Sequence, residues 1–146
     1  MTLSKKVDFR ACLRSLAWVL AAAVVAGCAG QLPDEALKRG DKHAMDGNQK
    51  KAIAAYSEAI KLDPNCKKAY VCRAMAYNES GEPKKALKDF SKAIELDSRD
   101  SYPYEQRASI YRRVFNEEDK AKADEEIAAA IRQKRWSDLQ KLRKKR

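Results

Sequence analysis

Residues 70–97 read YVCRAMAYNESGEPKKALKDFSKAIELD. Shifted by 34 positions, this stretch meets a copy of itself on either side. Gly81 matches Gly47, Ala86 matches Ala52, and Phe90 matches Tyr56. Ala93-Ile94 repeats Ala59-Ile60, and Leu96-Asp97 repeats Leu62-Asp63. Downstream, Tyr104, Arg107-Ala108 and Tyr111 repeat Tyr70, Arg73-Ala74 and Tyr77. So many matches at one offset mark an internal repeat.

Each period carries its own helix signals. Ala52, Tyr56, Ala59 and Ile60 fall at i, i+4, i+7 and i+8, which is one face of a helix. Ala86, Phe90, Ala93 and Ile94 repeat that stripe. Gly47 and Gly81 follow a helix, where a left-handed backbone is easiest without a side chain. Pro64 ends a helix at Asp63, and Pro83 opens one where its missing N–H costs little. Gly40, Ala74 and Ala108 are small enough for two helices to approach closely. Beta-branched residues are sparse after Val25, so strands are not expected. The fold class is all-α.

The pattern resembles the tetratricopeptide repeat (TPR) family, whose unit is a helix-turn-helix. Tyr70, Ala74, Tyr77, Gly81, Ala86, Phe90 and Ala93 occupy its signature places. The resemblance implies about three units, near 33–66, 67–100 and 101–134, in a short right-handed superhelical array over residues 34–131. Arg39 and His43 depart from the family's larger apolar residues, as suits a terminal unit with one face in solvent. The third unit lacks the turn glycine. Its second helix matches best through Ala123, Ile127, Ala130 and Ile131, which requires about three extra residues near Asn116 to Asp119.

The repeats do not begin at the N-terminus. Lys5, Lys6, Arg10 and Arg14 precede the uncharged run from Ser15 to Pro33. The strongly apolar part, Leu16 to Ala26, is shorter than the roughly 20 residues of a spanning helix. This order fits an export signal over residues 1–27. Val25-Ala26-Gly27-Cys28 resembles the bacterial lipobox. That resemblance implies a diacylglyceryl group on the Cys28 thiol, cleavage before it, and a lipidated tether over residues 28–33. Ala29 after the cysteine favours the outer membrane. An uncleaved anchor is the alternative. Of the remaining cysteines, Cys66 and Cys72 would lie about 9 Å and about 240° apart on one helix, so free thiols are expected. His43 is the only histidine, and no metal or cofactor is expected beyond the acyl lipid.

Function follows from the resemblance. TPR first helices line a concave face, which carries over to Leu37, Asp41 and Met45 in unit one. Unit two gives Lys68, Val71, Met75 and Asn78; unit three gives Tyr102, Glu105, Ser109 and Arg112. These residues are the expected groove for a peptide segment of an envelope protein. Scattered exposed apolar residues would be the plainer reading. The lysine-asparagine pattern that clamps a chaperone tail is not reproduced. No nucleophile, base and orienter stand out, so catalysis is not expected. Residues 132–146 are basic and read as a capping helix and tail. There Lys141, Arg143, Lys144, Lys145 and Arg146 suit anionic lipid or cell-wall polymer. Nucleic acid is not expected for an exported chain. The reading is a membrane-anchored adaptor facing the periplasm; the alternative is a tether whose basic end grips anionic polymer.

Overall fold

A computed structural model describes residues 32–144, with the side chains of Leu32, Trp136 and 138–144 left aside. The lipobox residues Val25, Ala26 and Gly27, the lipidation site Cys28, and the tail residues Lys145 and Arg146 lie outside the described residues. Six α-helices follow one another: α1 (Leu32–Met45), α2 (Gln49–Leu62), α3 (Lys67–Glu79), α4 (Pro83–Leu96), α5 (Ser101–Ile110) and α6 (Glu118–Lys144). A π-helical turn, Tyr111–Phe115, extends α5. No strand occurs among the described residues. None of the described helices is long and apolar enough to cross a membrane.

Each helix packs chiefly on its sequence neighbours, α1 on α2, α3 on α4 and α5 on α6, and the hairpins stack through α2–α3 and α4–α5. The repeat positions explain why. Ala52, Ala86 and Ala121 are each fully buried, as are Ala59, Ala93 and Ala128. Ala74 and Ala108 are equally closed off. In the first hairpin that place is Gly40, where a Cβ would overlap the Tyr56 ring. Tyr56 in the first hairpin and Phe90 in the second fill the space between the small residues.

The hairpin turns repeat as well. Gly47 and Gly81 adopt positive φ, 74° and 76°. In the third hairpin Asn116 takes the same left-handed role, with φ 53°. Asparagine is among the few residues with a side chain that visit this region readily. Both linkers between hairpins close on an aspartate side chain: Asp63 accepts from the Asn65 N–H, and Asp97 from the Arg99 N–H.

The third hairpin corrects one expectation. Ala121, Asp124 and Ala128 face inward, whereas Ala123 and Ala130 are exposed and Ile127 is 43 % exposed. Counted from Gly81 to Asn116, the insertion is therefore one residue, not three. The π turn absorbs it by widening a single helical turn. The sequence hides this register because Glu125 stands where Phe90 stands one repeat earlier, and the nearby apolar Ile127 imitates it.

The ends also differ from the sequence reading. Helix α1 already begins at Leu32, within the stretch expected to be tether. No separate cap forms at residue 132. Helix α6 runs without interruption to Lys144, because neither glycine nor proline occurs between Glu118 and that point.

Candidate protein-binding cleft

A cleft of about 220 Å³ opens between α1, α2 and α3. Its walls carry Asp41 and Met45 from α1, Gln49 and Tyr56 from α2, and Cys72, Met75 and Glu79 from α3, with Ala44 and Ala76 between them. Exposed apolar side chains border it: Met45 is 86 % exposed and Met75 38 %. Tyr102, on α5, extends the apolar rim by donating its hydroxyl to Met75 Sδ at 3.3 Å.

The polar groups are arranged around that apolar surface. Tyr56 Oη donates to Asp41 Oδ1 at 2.9 Å, and Lys68 Nζ lies 3.6 Å from Asp41 Oδ2. Burial, reinforced by Asp41, pushes the Tyr56 phenol well above its ordinary pKa. Burial and then the negative charge of Asp41 push the Cys72 thiol up to about 11. Near neutrality that leaves little of the nucleophilic thiolate form. Cys66 and Cys72 are both free thiols. Gln49 donates its amide to Glu79, and its carbonyl oxygen is buried without a donor among the described residues.

The structure sorts the expected groove residues. Asp41, Met45 and Met75 line one cleft; Lys68 and Tyr102 touch it through Asp41 and Met75. Leu37 does not belong there. It is 4 % exposed and packs in the first core cluster with Ala36, Ala52 and Tyr56, because its side of α1 is covered by the stacked hairpins. Val71 is half-buried against the second core cluster. Asn78 and Ser109 are half-buried outside the cleft. Glu105 is paired with Arg132, and Arg112 with Glu118 and Glu125. Lys141, Arg143 and Lys144 fall on the last turns of α6. No cluster of three or more His, Cys, Asp or Glu side chains suited to a metal occurs among the described residues.

One device went unrecognised in the sequence. Arg73 grips Asp89 through two hydrogen bonds, of 2.7 and 2.8 Å, and reaches Ser57 with a third at 3.0 Å. Arg107 does the same to Asp124 and Ser91. Each guanidinium thus joins its own hairpin to the preceding one. The arginines also lie over Tyr70 and Tyr104, with 5.7 Å from guanidinium carbon to ring centre in both. The spacing Arg73-Arg107 was visible as part of the repeat, but its partners become apparent only in the folded chain.

Stacked hairpins closed by small residues, with a cleft between first helices, define a helical-repeat interaction scaffold. Within them, residues 46–66 and 68–100 match tetratricopeptide repeat models. The crystal structure of MamA superposes with a TM-score of 0.70 at 22 % identity, over 72 % of this chain and 61 % of that one. The chain thus spans less than two thirds of MamA. The second TPR of Spaghetti (RPAP3), bound to the HSP90 peptide SRMEEVD, matches with a TM-score of 0.65 at 28 % identity, over 69 % of this chain and 93 % of that one. The TPR2B domain of yeast Sti1, in complex with an Hsp70 peptide, matches at 26 % identity and a TM-score of 0.65, over 69 % of this chain and 80 % of that one. No curated protein matches the chain in sequence. TPR proteins generally mediate protein–protein interactions.

Proposed function

We propose that the chain is a non-catalytic adaptor of the bacterial cell envelope, held by an acyl lipid on Cys28 and facing the periplasm. Its α1–α3 cleft takes a peptide segment of another envelope protein. The cleft is the observation that carries the binding half. Met45 and Met75 offer flexible, polarisable surface that adapts to a partner, and Tyr102 adds a rigid anchor beside them. Peptide complexes of Spaghetti and Sti1 support the mode of binding, while the peptide itself is not carried over.

The lipobox carries the envelope half, with Ala29 favouring the outer membrane. Two or more acyl chains hold a small domain at a bilayer, at about 0.8 kcal/mol per buried methylene. Selection of peptides from a random library on the purified protein tests the cleft. Enriched peptides are expected to lose binding to Met75→Glu while helicity is unchanged; peptides that bind both forms equally would remove the cleft assignment. Mass measurement of the mature protein tests the anchor. An acylated Cys28 at the N-terminus is expected, and an intact leader with a bare thiol would remove the envelope reading alone.

A further inference from the structure

The charges on the walls of the α1–α3 cleft have one sign. Asp41 and Glu79 are the charged residues among those that line it, and both are acidic. The whole chain, by contrast, carries a net charge of +10. The cleft is an acidic recess in a basic protein.

Glu79 stands exposed on the last turn of α3. Its side-chain partner among the described residues is the neutral amide of Gln49, so its charge has no counterion there. Asp41 receives the Tyr56 hydroxyl on Oδ1, again a neutral donor. Lys68 Nζ approaches Asp41 Oδ2 only to 3.6 Å, and most of that lysine side chain is in solvent. Exposed pairs of this kind hold weakly. The Cys72 thiol on the cleft wall registers the balance, since Asp41 raises its pKa more than Lys68 lowers it.

Met45, Met75 and Ala76 supply apolar surface in the same cleft. A ligand that satisfies the whole lining offers an apolar side chain and positive charge together. An acidic segment would bring like charges face to face, which selects against it. The peptide held by Spaghetti, SRMEEVD, has three acidic residues to one arginine, the opposite of what this lining favours.

We infer that the cleft takes a basic segment of its partner, with an apolar side chain seated against Met45 and Met75 and lysine or arginine beside it at Glu79 and Asp41. The inference rests on the reading of the cleft as a peptide site and adds the charge class of the peptide.

Selection from a random peptide library tests this, on the full chain in neutral detergent micelles at physiological salt. Counter-selection on Met75→Ala discards peptides held elsewhere on the protein, because that change trims the apolar wall without adding a charge. The peptides that remain are expected to carry more lysine and arginine than the input, and fewer acidic residues. The SRMEEVD peptide should bind at least tenfold more weakly than these. Glu79→Lys, at an exposed position, should weaken the selected peptides about tenfold with helicity unchanged. Exchanging their basic residues for glutamate should restore binding to Glu79→Lys, which no loss of folding could mimic. Met75-dependent peptides with no basic excess, or a charge exchange that fails to rescue, would overturn the inference and leave the cleft as a peptide site. If no peptide survives the counter-selection, the cleft assignment falls and this inference with it.

Discussion

Arg107 holds Asp124 across a gap of 17 residues, while Arg73 holds Asp89 across 16. The geometry is the same in both, and the extra residue is the one taken up by the π turn at Tyr111–Phe115. The π turn thereby keeps the third hairpin in phase with the second. Asp89 and Asp124 are 5 % and 4 % exposed, so each carboxylate depends on its arginine for charge compensation.

Removing a clasp carboxylate should therefore be severe. Asp89→Ala and Asp124→Ala each leave a half-buried guanidinium unpaired, and each is expected to cost about 3–5 kcal/mol. Urea denaturation followed by circular dichroism measures this. Arg39→Ala, which removes an exposed pair with Glu58, is expected to cost no more than about 1 kcal/mol. Equal effects in both places would mean that the buried clasps contribute nothing special.

The register of α6 can be read by adding bulk. Ala121 is fully buried and Ala123 exposed. Ala121→Leu is expected to destabilise by about 1–3 kcal/mol through overpacking, and Ala123→Leu to stay within about 0.5 kcal/mol. The reverse order would restore the three-residue insertion.

Acid should loosen the junction between the second and third hairpins. Lys67 bridges Asp97 and Asp100 at 3.0 and 2.8 Å. The Lys67 hydrogen bond lowers the Asp97 pKa. Burial raises that of Asp100, but Lys67 and the Tyr102 N–H more than reverse this. A carboxyl group with a lowered folded pKa contributes stability above its unfolded value, about 3.9 for aspartate, and loses it as pH falls through the folded value. Lys67→Met should thus lower Tm by a constant amount between about pH 6 and about pH 9, and the gap to wild type should close below about pH 4. A gap that persists in acid would show that Lys67 acts by packing alone.

Cys72 should resist alkylation. With its pKa pushed up to about 11, few molecules carry the thiolate near neutrality. Iodoacetamide at about pH 8 is expected to modify folded Cys72 on the order of a hundred-fold more slowly than the urea-unfolded chain. Peptide mapping separates it from Cys66. Rapid labelling in the folded state would place Cys72 in an open environment.

The hairpins were legible because small residues recur at fixed spacing, and those residues are the ones the fold buries. Gly40, Ala74 and Ala108 needed no structural help, since close approach leaves no other choice. Leu37 was misassigned because carry-over by position does not say which first helix is covered by its neighbour. The third hairpin was misread for a different reason. A π turn leaves no sequence mark of its own, and Asn116 does a glycine's work without being one. The cleft was half legible: Asp41, Met45 and Met75 stand on first helices, but Gln49 and Tyr56 reach it from α2, which the family pattern assigns to packing.

Ala55, 7 % exposed, stands in the first hairpin where Asp89 and Asp124 stand in the others. Arg39 consequently turns outward to Glu58. The array is therefore uneven along its length: a buried guanidinium–carboxylate clasp closes the second and third hairpins, while the first is closed by the Tyr56–Asp41 hydrogen bond and an ion pair that stands in solvent.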